Sequence, residues 1–441
     1  MSRIERDISF LLTRKLADEL VPGGASLPSV LSVDFFAGIF VRDGRRMPLA
    51  DAISTTRSGT ALMAGSDGTY RSFGTDEAPV VTGVGLDIYR QIAPQLCSGA
   101  DMSNGSYWRP ENLVLVETAA GPDGNANAVS ATEAAVTGSH AIYGTSGNRP
   151  AYGSGQAGEK RLGEAWFGAN HAPGHGYIQF ASGGNGLYAI LDTQTGIVTD
   201  TGTTSDETIH DYGVEQTPSG YRLWVLFSKL TGFQGGYIVP AIGSIDVAAI
   251  ASGLPNGKGY PGNGSSVTVW NLNIAVADFR VPPIPTGANL TPRFATTVTD
   301  PDFASLVSAY GLRSGFQVST RIALDRLSDS AARCVWAAGA DADNHVRLDF
   351  TSSDTAKFVL RKAGADLLTL EAAAFTDTGD KTIAVTAKDG AWTLTATGVA
   401  GDSDTGTYGL PALSGFRYGS QFGDEAYLNG TMKSLVLGRT A

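Results

Sequence analysis

Along the C-terminal third of the chain, apolar and polar residues trade places at every second position. In Phe316 to Leu324, residues Phe316, Val318, Ile322 and Leu324 fall on one face and Gln317, Ser319 and Arg321 on the other. Val346, Leu348 and Phe350 alternate with His345, Arg347 and Asp349, and the pattern returns in Ile383, Val385 and Ala387, then in Trp392 and Leu394. Successive side chains of a strand point to opposite faces, so a period of two predicts half-buried antiparallel strands. Lys388-Asp389-Gly390 supplies a hairpin signal between two of them. About ten such strands fit between residues 294 and 441, which implies a two-sheet sandwich with one wet face per sheet and no helix of substance.

Upstream, Asn112 to Glu117, Glu164 to Phe167, Gly176 to Ala181, Gly186 to Asp192, Tyr221 to Phe227 and Ser266 to Ala275 read as strands parted by Gly-, Asn- and Ser-rich turns. In the last of these, Val267, Val269, Asn271 and Asn273 alternate with Thr268, Trp270, Leu272 and Ile274, which predicts one firmly apolar face. Residues 28–95 show short strands around turns at Asp43-Gly44, Asp67-Gly68 and Gly83. The run from Val281 to Asn289, with three prolines, predicts an extended connector. One helix is signalled, at the start. Ser2 and Glu5 form a capping box, Ile4, Ile8, Leu12, Leu16 and Leu20 recur every four residues, and Pro22 with Gly23 and Gly24 ends the run. That stripe must bury against something, either the chain's own next domain or a larger assembly.

The expected fold class is therefore mainly β, in four stretches: 1–95, an N-terminal helix with a small β-rich attachment domain; 96–281, a jelly roll; 282–293, a Pro-rich linker; and 294–441, a second sandwich. Composition agrees with many short strands, since 56 of 441 residues are glycine. The net charge of −11 argues against a nucleic-acid partner. Cys97 and Cys334 are too far apart in sequence to suggest a zinc motif or a disulfide framework. Charges throughout the first twenty residues break any signal-peptide core, and no long uncharged apolar run appears, so cytoplasmic synthesis without membrane insertion is expected.

Two resemblances rest on particular residues. From Thr56 to Gln91, Arg57, Ser58, Ala61, Asp67, Gly68, Ala78, Pro79, Gly85, Leu86 and Ile88 resemble the lead-in of many phage and prophage structural proteins, with Val80 and Tyr89 departing from it. Asp101 to Trp108, Pro122-Asp123-Gly124, Ser219 to Arg222 and Val269-Trp270 follow in the order seen in the carbohydrate-binding-like jelly rolls of phage head-spike and tail-fibre proteins. The ending, Tyr427 to Gly438, resembles the final strand of a concanavalin-like, laminin-G-type sandwich. These resemblances imply a virion protein, made in the bacterial cytoplasm, of a phage or gene-transfer particle. They also imply a trimeric or pentameric homo-oligomer mounted on a capsid vertex or tail, facing host surface polysaccharide.

Candidate chemistry is sparse, and no enzymatic constellation is expected. No G-x-S-x-G elbow is present, and Pro173 and Gly174 between His171 and His175 preclude a zinc-binding helix. His140, His210 and His345 read as isolated, and Asp206, Glu207 and Asp211 as a solvated turn. Trp166, Trp224, Trp270, Trp336 and Trp392 sit in strand patterns and are expected in cores. Tyr152 and Tyr260, in Gly- and Pro-rich loops, are the candidate sugar-stacking residues. Asp341 and Asp343 could offer oxygen ligands to calcium; otherwise no cofactor is expected. The alternatives to adhesion are an architectural decoration protein and a glycan-degrading enzyme whose two carboxylates face each other across a cleft.

Overall fold

The computed structural model describes residues 29–94, 101–144, 157–169, 175–182, 185–203, 207–229, 237–238, 260–286, 292–327, 332–388, 390–423 and 426–440. These residues are mainly strand, as the alternation predicts. The helical stripe Ile4, Ile8, Leu12, Leu16 and Leu20 lies outside them.

The chain divides into two compact units, and the division differs from the expected one. The first unit joins residues 1–60 and 73–91 to 294–441; the second comprises 61–72 and 92–293. The expected attachment domain at 1–95 is thus, over its described residues, largely part of the C-terminal sandwich. Strand Ser29–Asp34 pairs antiparallel with the last strand, Gly430–Arg439, with Val33 opposite Leu435. Gly85–Ile88 pairs with that same last strand, and Ser54–Thr56 pairs with Thr297–Thr299 in the other sheet. Period-two patterning shows which face a residue takes but not which distant strand it pairs with, so this closure is invisible locally.

One sheet of the first unit runs, in spatial order, through Arg45–Arg46, Ile39–Arg42, Ser29–Asp34, Gly430–Arg439, Gly315–Leu324, Gly379–Lys388, Ala391–Ala396 and Val399–Asp404. The other runs through Ala365–Glu371, Ala356–Lys362, Asn344–Phe350, Arg333–Asp341, Gly415–Tyr418, Thr297–Thr299 and Ser54–Thr56. The predicted inward sets meet in one core: Phe316, Val318, Ile322 and Leu324, then Val346, Leu348 and Phe350, with Ile383, Val385, Trp392 and Leu394. Trp336 stacks on Phe416 at 5.8 Å in its middle. The core also takes Leu31, Val33, Phe35, Leu86 and Ile88 from the N-terminal segment. A short helix, Phe303–Tyr310, departs from the all-strand expectation; Phe303, Leu306 and Val307 bury against the core, and Gly311 at φ 60° ends it. Asp43-Gly44, both at positive φ, closes the predicted hairpin between Ile39–Arg42 and Arg45–Arg46.

The second unit carries a six-stranded sheet ordered Leu113–Ala119, Ala128–Glu133, Ser266–Val276, Arg161–Gly168, Gly220–Lys229 and Glu207–Thr217, and a smaller sheet built around His175–Ser182 and Asn185–Asp192. The predicted face of Ser266–Val276 needs correction. Val267, Val269, Leu272 and Ile274 all enter the main core, while Trp270 joins a separate cluster with Leu62, Tyr70, Ala128 and Trp166. Asn271 sits at φ 50° and the register with Arg161–Gly168 slips there, so a bulge reverses the phase halfway along the strand. Asn adopts the left-handed region more readily than most residues, which suits it to this position. The hairpin formed by residues 61–72 supplies Leu62 and Tyr70 to that second cluster, with the Tyr70 and Trp270 rings stacked at 6.4 Å. The expected linker is also not free chain: Val281, Ile284 and Thr286 are buried, and Asn273 donates to the Ile284 carbonyl at 3.2 Å.

Beneath that hairpin a buried guanidinium holds the sheet. Arg222 donates through Nε to Glu164 Oε2 at 2.8 Å and through Nη1 to Glu215 at 2.9 Å, while Asn271 donates to Glu164 Oε1 at 3.0 Å. Removing one partner strands a charge where water cannot reach it. Arg222→Met is therefore expected to destabilise the unit by about 3–5 kcal/mol, read as a lowered urea midpoint, with the double replacement Glu164→Leu/Arg222→Met recovering most of the loss. The closure of the first unit yields a second test. A fragment of residues 294–441 lacks the strand that covers the last one, and it should show no cooperative unfolding, whereas the full chain should. A sharp, native-like transition in the fragment would contradict the described closure.

Candidate functional site

The outward residues of one sheet of the first unit bring charged and aromatic groups onto one face. Its inner face is committed to Trp336, Val346, Leu348, Phe358, Leu360 and Phe416, so parity sends their neighbours outward. Those neighbours are Cys334, Ala337 and Gly339 on one strand, His345, Arg347 and Asp349 on the next, then Lys357, Val359 and Arg361, with Arg417 on the opposite side. Register sorts them into rows: Arg417, Ala337, Arg347 and Val359 lie in line across four strands. A second row holds Gly415, Gly339, His345 and Arg361, and a third Cys334, Asp349 and Lys357.

His345 is not isolated, contrary to the sequence reading. Its Nδ1 lies 3.2 Å from the Asp341 carbonyl and its Nε2 is 2.7 Å from Arg347 Nη1. The arginine can only donate, so Nε2 accepts and Nδ1 carries the proton, a neutral tautomer. Burial and the Arg347 charge hold its pKa below the ordinary 6.5. Arg347 Nε donates to Asp349 Oδ2 at 2.6 Å. Burial raises the Asp349 carboxyl above its ordinary range, opposed by Arg347. The Phe422 ring tilts against His345 at 6.2 Å, and the Arg417 guanidinium lies over it at 5.0 Å. Arg361 reaches the Gly364 carbonyl at 2.8 Å.

Two groups on this face with chemistry of their own, Cys334 and His345, are tied into the sheet. Burial and Asp349 push the Cys334 thiol well up, so it stays protonated. His345 Nε2, the atom a general base would use, is occupied by Arg347. In the second unit, Glu164 and Glu215 are the nearest thing to a carboxylate pair, but both are bound by Arg222. Burial raises Glu215, yet Arg222 and Arg280 outweigh it and leave its pKa below the ordinary value, so it is no proton donor at neutral pH.

The other expected site residues are scattered. Tyr152 lies outside the described residues. Tyr260 falls in the short strand Tyr260–Pro261, opposite Gly138. Asp341 and Asp343 occupy the exposed turn before strand Asn344–Phe350, where Asp341 Oδ1 accepts from the Asp343 amide at 2.9 Å and from Asn344 Nδ2 at 3.0 Å. The Asn344 bond, chiefly, holds the Asp341 pKa below its ordinary value. These bonds serve the turn, and among the described residues no three His, Cys, Asp or Glu side chains converge as metal ligands. His140 is buried against the Ala134 carbonyl, and His210 lies 2.8 Å from Ser228 Oγ. All five tryptophans expected in cores are buried. No helix among the described residues is long and apolar enough to cross a membrane. Sequence reasoning separated His345, Arg347 and Asp349 from the core but did not join them to Lys357, Arg361, Arg417 and Phe422. The readable signal was charge at alternate positions, in the predicted strand around Val346 to Phe350 and again at Lys357 and Arg361.

No family model matches the chain, and no curated protein matches it. Among solved structures, it is similar to the Ruminococcus gnavus IT-sialidase CBM40 bound to α2,3-sialyllactose, with 14% identity and a TM-score of 0.27 over 31% of this chain and 81% of that one. It is also similar to the botulinum neurotoxin serotype C1 binding domain, with 10% identity and a TM-score of 0.25 over 32% of this chain and 35% of that one. The binding domain of botulinum neurotoxin DC in complex with SialylT gives 9% identity and a TM-score of 0.23 over 33% of this chain and 34% of that one. Likeness at these values carries no functional weight.

The neutral state of His345 has a measurable consequence. A histidine whose folded pKa lies below 6.5 adds stability that is fully present above 6.5 and is lost as the pH falls through that value. Asp349, raised by burial, acts in the opposite sense at lower pH, so the test is differential. Between pH 7 and 5 the urea midpoint of the first unit should fall less in His345→Gln than in the natural chain. Equal falls in both would show that His345 is not held neutral.

Proposed function

We propose that the chain is a non-enzymatic glycan-adhesion protein, carried by a tailed-phage or gene-transfer particle as a head spike, fibre or peripheral tail protein. One observation carries the adhesive reading: the outer face of a rigid sheet presents Arg347, Lys357, Arg361 and Arg417 beside the Phe422 ring. Sugars are bound by such combinations, in which an aromatic ring meets the C–H face and charged or amide groups bond the hydroxyls. The particle assignment is supported by the sequence resemblances at Arg57 to Ile88 and Asp101 to Trp108. Repetition of the chain in a trimer or pentamer would turn weak single-site contacts into useful avidity.

The purified full-length chain is expected to retain oligosaccharides on a glycan array, and Phe422→Ala should reduce that retention about tenfold, a loss of roughly 1.4 kcal/mol. An array without any hit, together with normal incorporation into particles, would instead favour an architectural protein. That second reading has one specific observation behind it. The edge strand Leu113–Ala119 leaves Val114 61% and Val116 47% exposed, a surface better suited to a protein neighbour than to a sugar.

A further inference from the structure

Resting on the saccharide-binding reading, we propose that the outer face around Val359 selects carboxylated saccharides, such as those containing uronic acids, over neutral ones. The selection follows from which polar atoms the fold has already used. Arg347 spends Nε on Asp349 and Nη1 on His345, leaving Nη2 without a protein partner. Lys357 makes no hydrogen bond or ion pair, although Asp349 and Glu371 are its register partners on the two adjoining strands. Glu371 instead accepts from Thr355 Oγ1 at 2.6 Å, and Asp349 Oδ2 is taken by Arg347. Arg347 faces Val359 in register, with Lys357 and Arg361 two residues to either side of it. Diagonal neighbours on one sheet face lie roughly 7–8 Å apart, so the three cations bracket Val359, itself 0% exposed. Asp366 pairs with Arg361 at 3.3 Å.

Two cationic side chains with unbonded donors on neighbouring strands offer a shared seat to an anion. Asp349, the carboxylate beside them, is turned into the sheet: it is 7% exposed, its Oδ2 is taken by Arg347, and the Cys334 thiol bonds the same carboxylate. On a face that binds saccharides, a carboxylate carried by the sugar itself meets Arg347 Nη2 and Lys357, and a neutral sugar leaves both unmet.

The test uses the full chain in calorimetric titration with three probes of equal length: oligogalacturonides, the same oligomers after carboxyl reduction, and sulfated dextran oligomers. The acidic oligomers should bind about tenfold more tightly than their reduced counterparts, with the advantage shrinking as salt is raised. Lys357→Gln, a change at a side chain without a hydrogen bond, should erase most of that advantage, lowering the affinity for the acidic oligomers far more than for the reduced ones. Arg347→Gln, with its fold confirmed by circular dichroism, should do the same. Equal affinity for acidic and reduced oligomers would overturn the selectivity while leaving saccharide binding intact. Preference for the sulfated oligomers would overturn the carboxylate in favour of sulfate, and an undiminished advantage in both variants would remove the site from this face. Failure of all three probes, alongside an empty glycan array, would overturn the saccharide reading itself.

Discussion

The pairing of Ser29–Asp34 with Gly430–Arg439 is the contact on which the first unit depends. It brings sequence from near both ends of the chain into the middle of one sheet, with Val33 opposite Leu435 and Asp34 opposite Ser434. Without it, the last strand would present an open edge, and Leu31, Val33 and Phe35 would leave the core. The second unit is, in sequence, two insertions that part the first into three pieces. A contact spanning some four hundred residues closes a very large loop, which the entropy of the chain opposes only logarithmically. Folding order, more than stability, bears the consequence, since non-local pairing is slow to form.

That closure gives the candidate binding face its rigidity. Trp336, Phe358 and Phe416 pack under the strands that carry Ala337, Val359 and Arg417, and Trp392 stacks on Phe358 at 6.0 Å. Each outward side chain therefore stands on a backbone fixed by close-packed aromatic rings. Local bonds restrict the side chains further: His345 fixes one amino group of Arg347, Asp349 fixes its Nε, and Phe422 carries the Arg417 guanidinium. Groups ordered before a ligand arrives lose less entropy when it binds. Small residues contribute as well. A Cβ at Gly339 would collide with the Asn344 carbonyl oxygen, so glycine there lets the strand carrying His345 close up against its neighbour.

Much of the fold was legible because periodicity is a local property. The strand alternation in Phe316 to Leu324 and Val346 to Phe350, and the turn at Asp43-Gly44, stand where the residues place them. Three things were not legible, each for a physical reason. The phase reversal at Asn271 inserts one residue without altering composition, so Trp270 and Leu272, in step by alternation, fall on opposite faces unannounced. The prolines after Val281 suggest a free linker, yet Pro merely forbids donation; Val281 and Ile284 are apolar enough to bury against a sheet. The domain boundaries failed because the partners of Leu31 and Ile88 lie at the far end of the chain. The site was half legible: parity turned His345, Arg347 and Asp349 outward, but only register makes Lys357 a diagonal neighbour of Arg347.

A protein with net charge −11 that gathers four cations on one sheet face is charge-segregated, and the segregation has a direction. Long-range repulsion between this acidic chain and an acidic polysaccharide is screened beyond about 8 Å at physiological salt. Contact on that face is governed by local groups instead. Within contact distance, Arg347 Nη2 and Lys357 offer donors that no protein carboxylate has bonded, with Asp349 held on Arg347 Nε. The neutral imidazole of His345 matters here, because a protonated ring could not accept from Arg347 Nη1, and the guanidinium would lose one of the two bonds that orient it. A buried uncharged histidine thus holds an arginine in place for a ligand it need not touch itself.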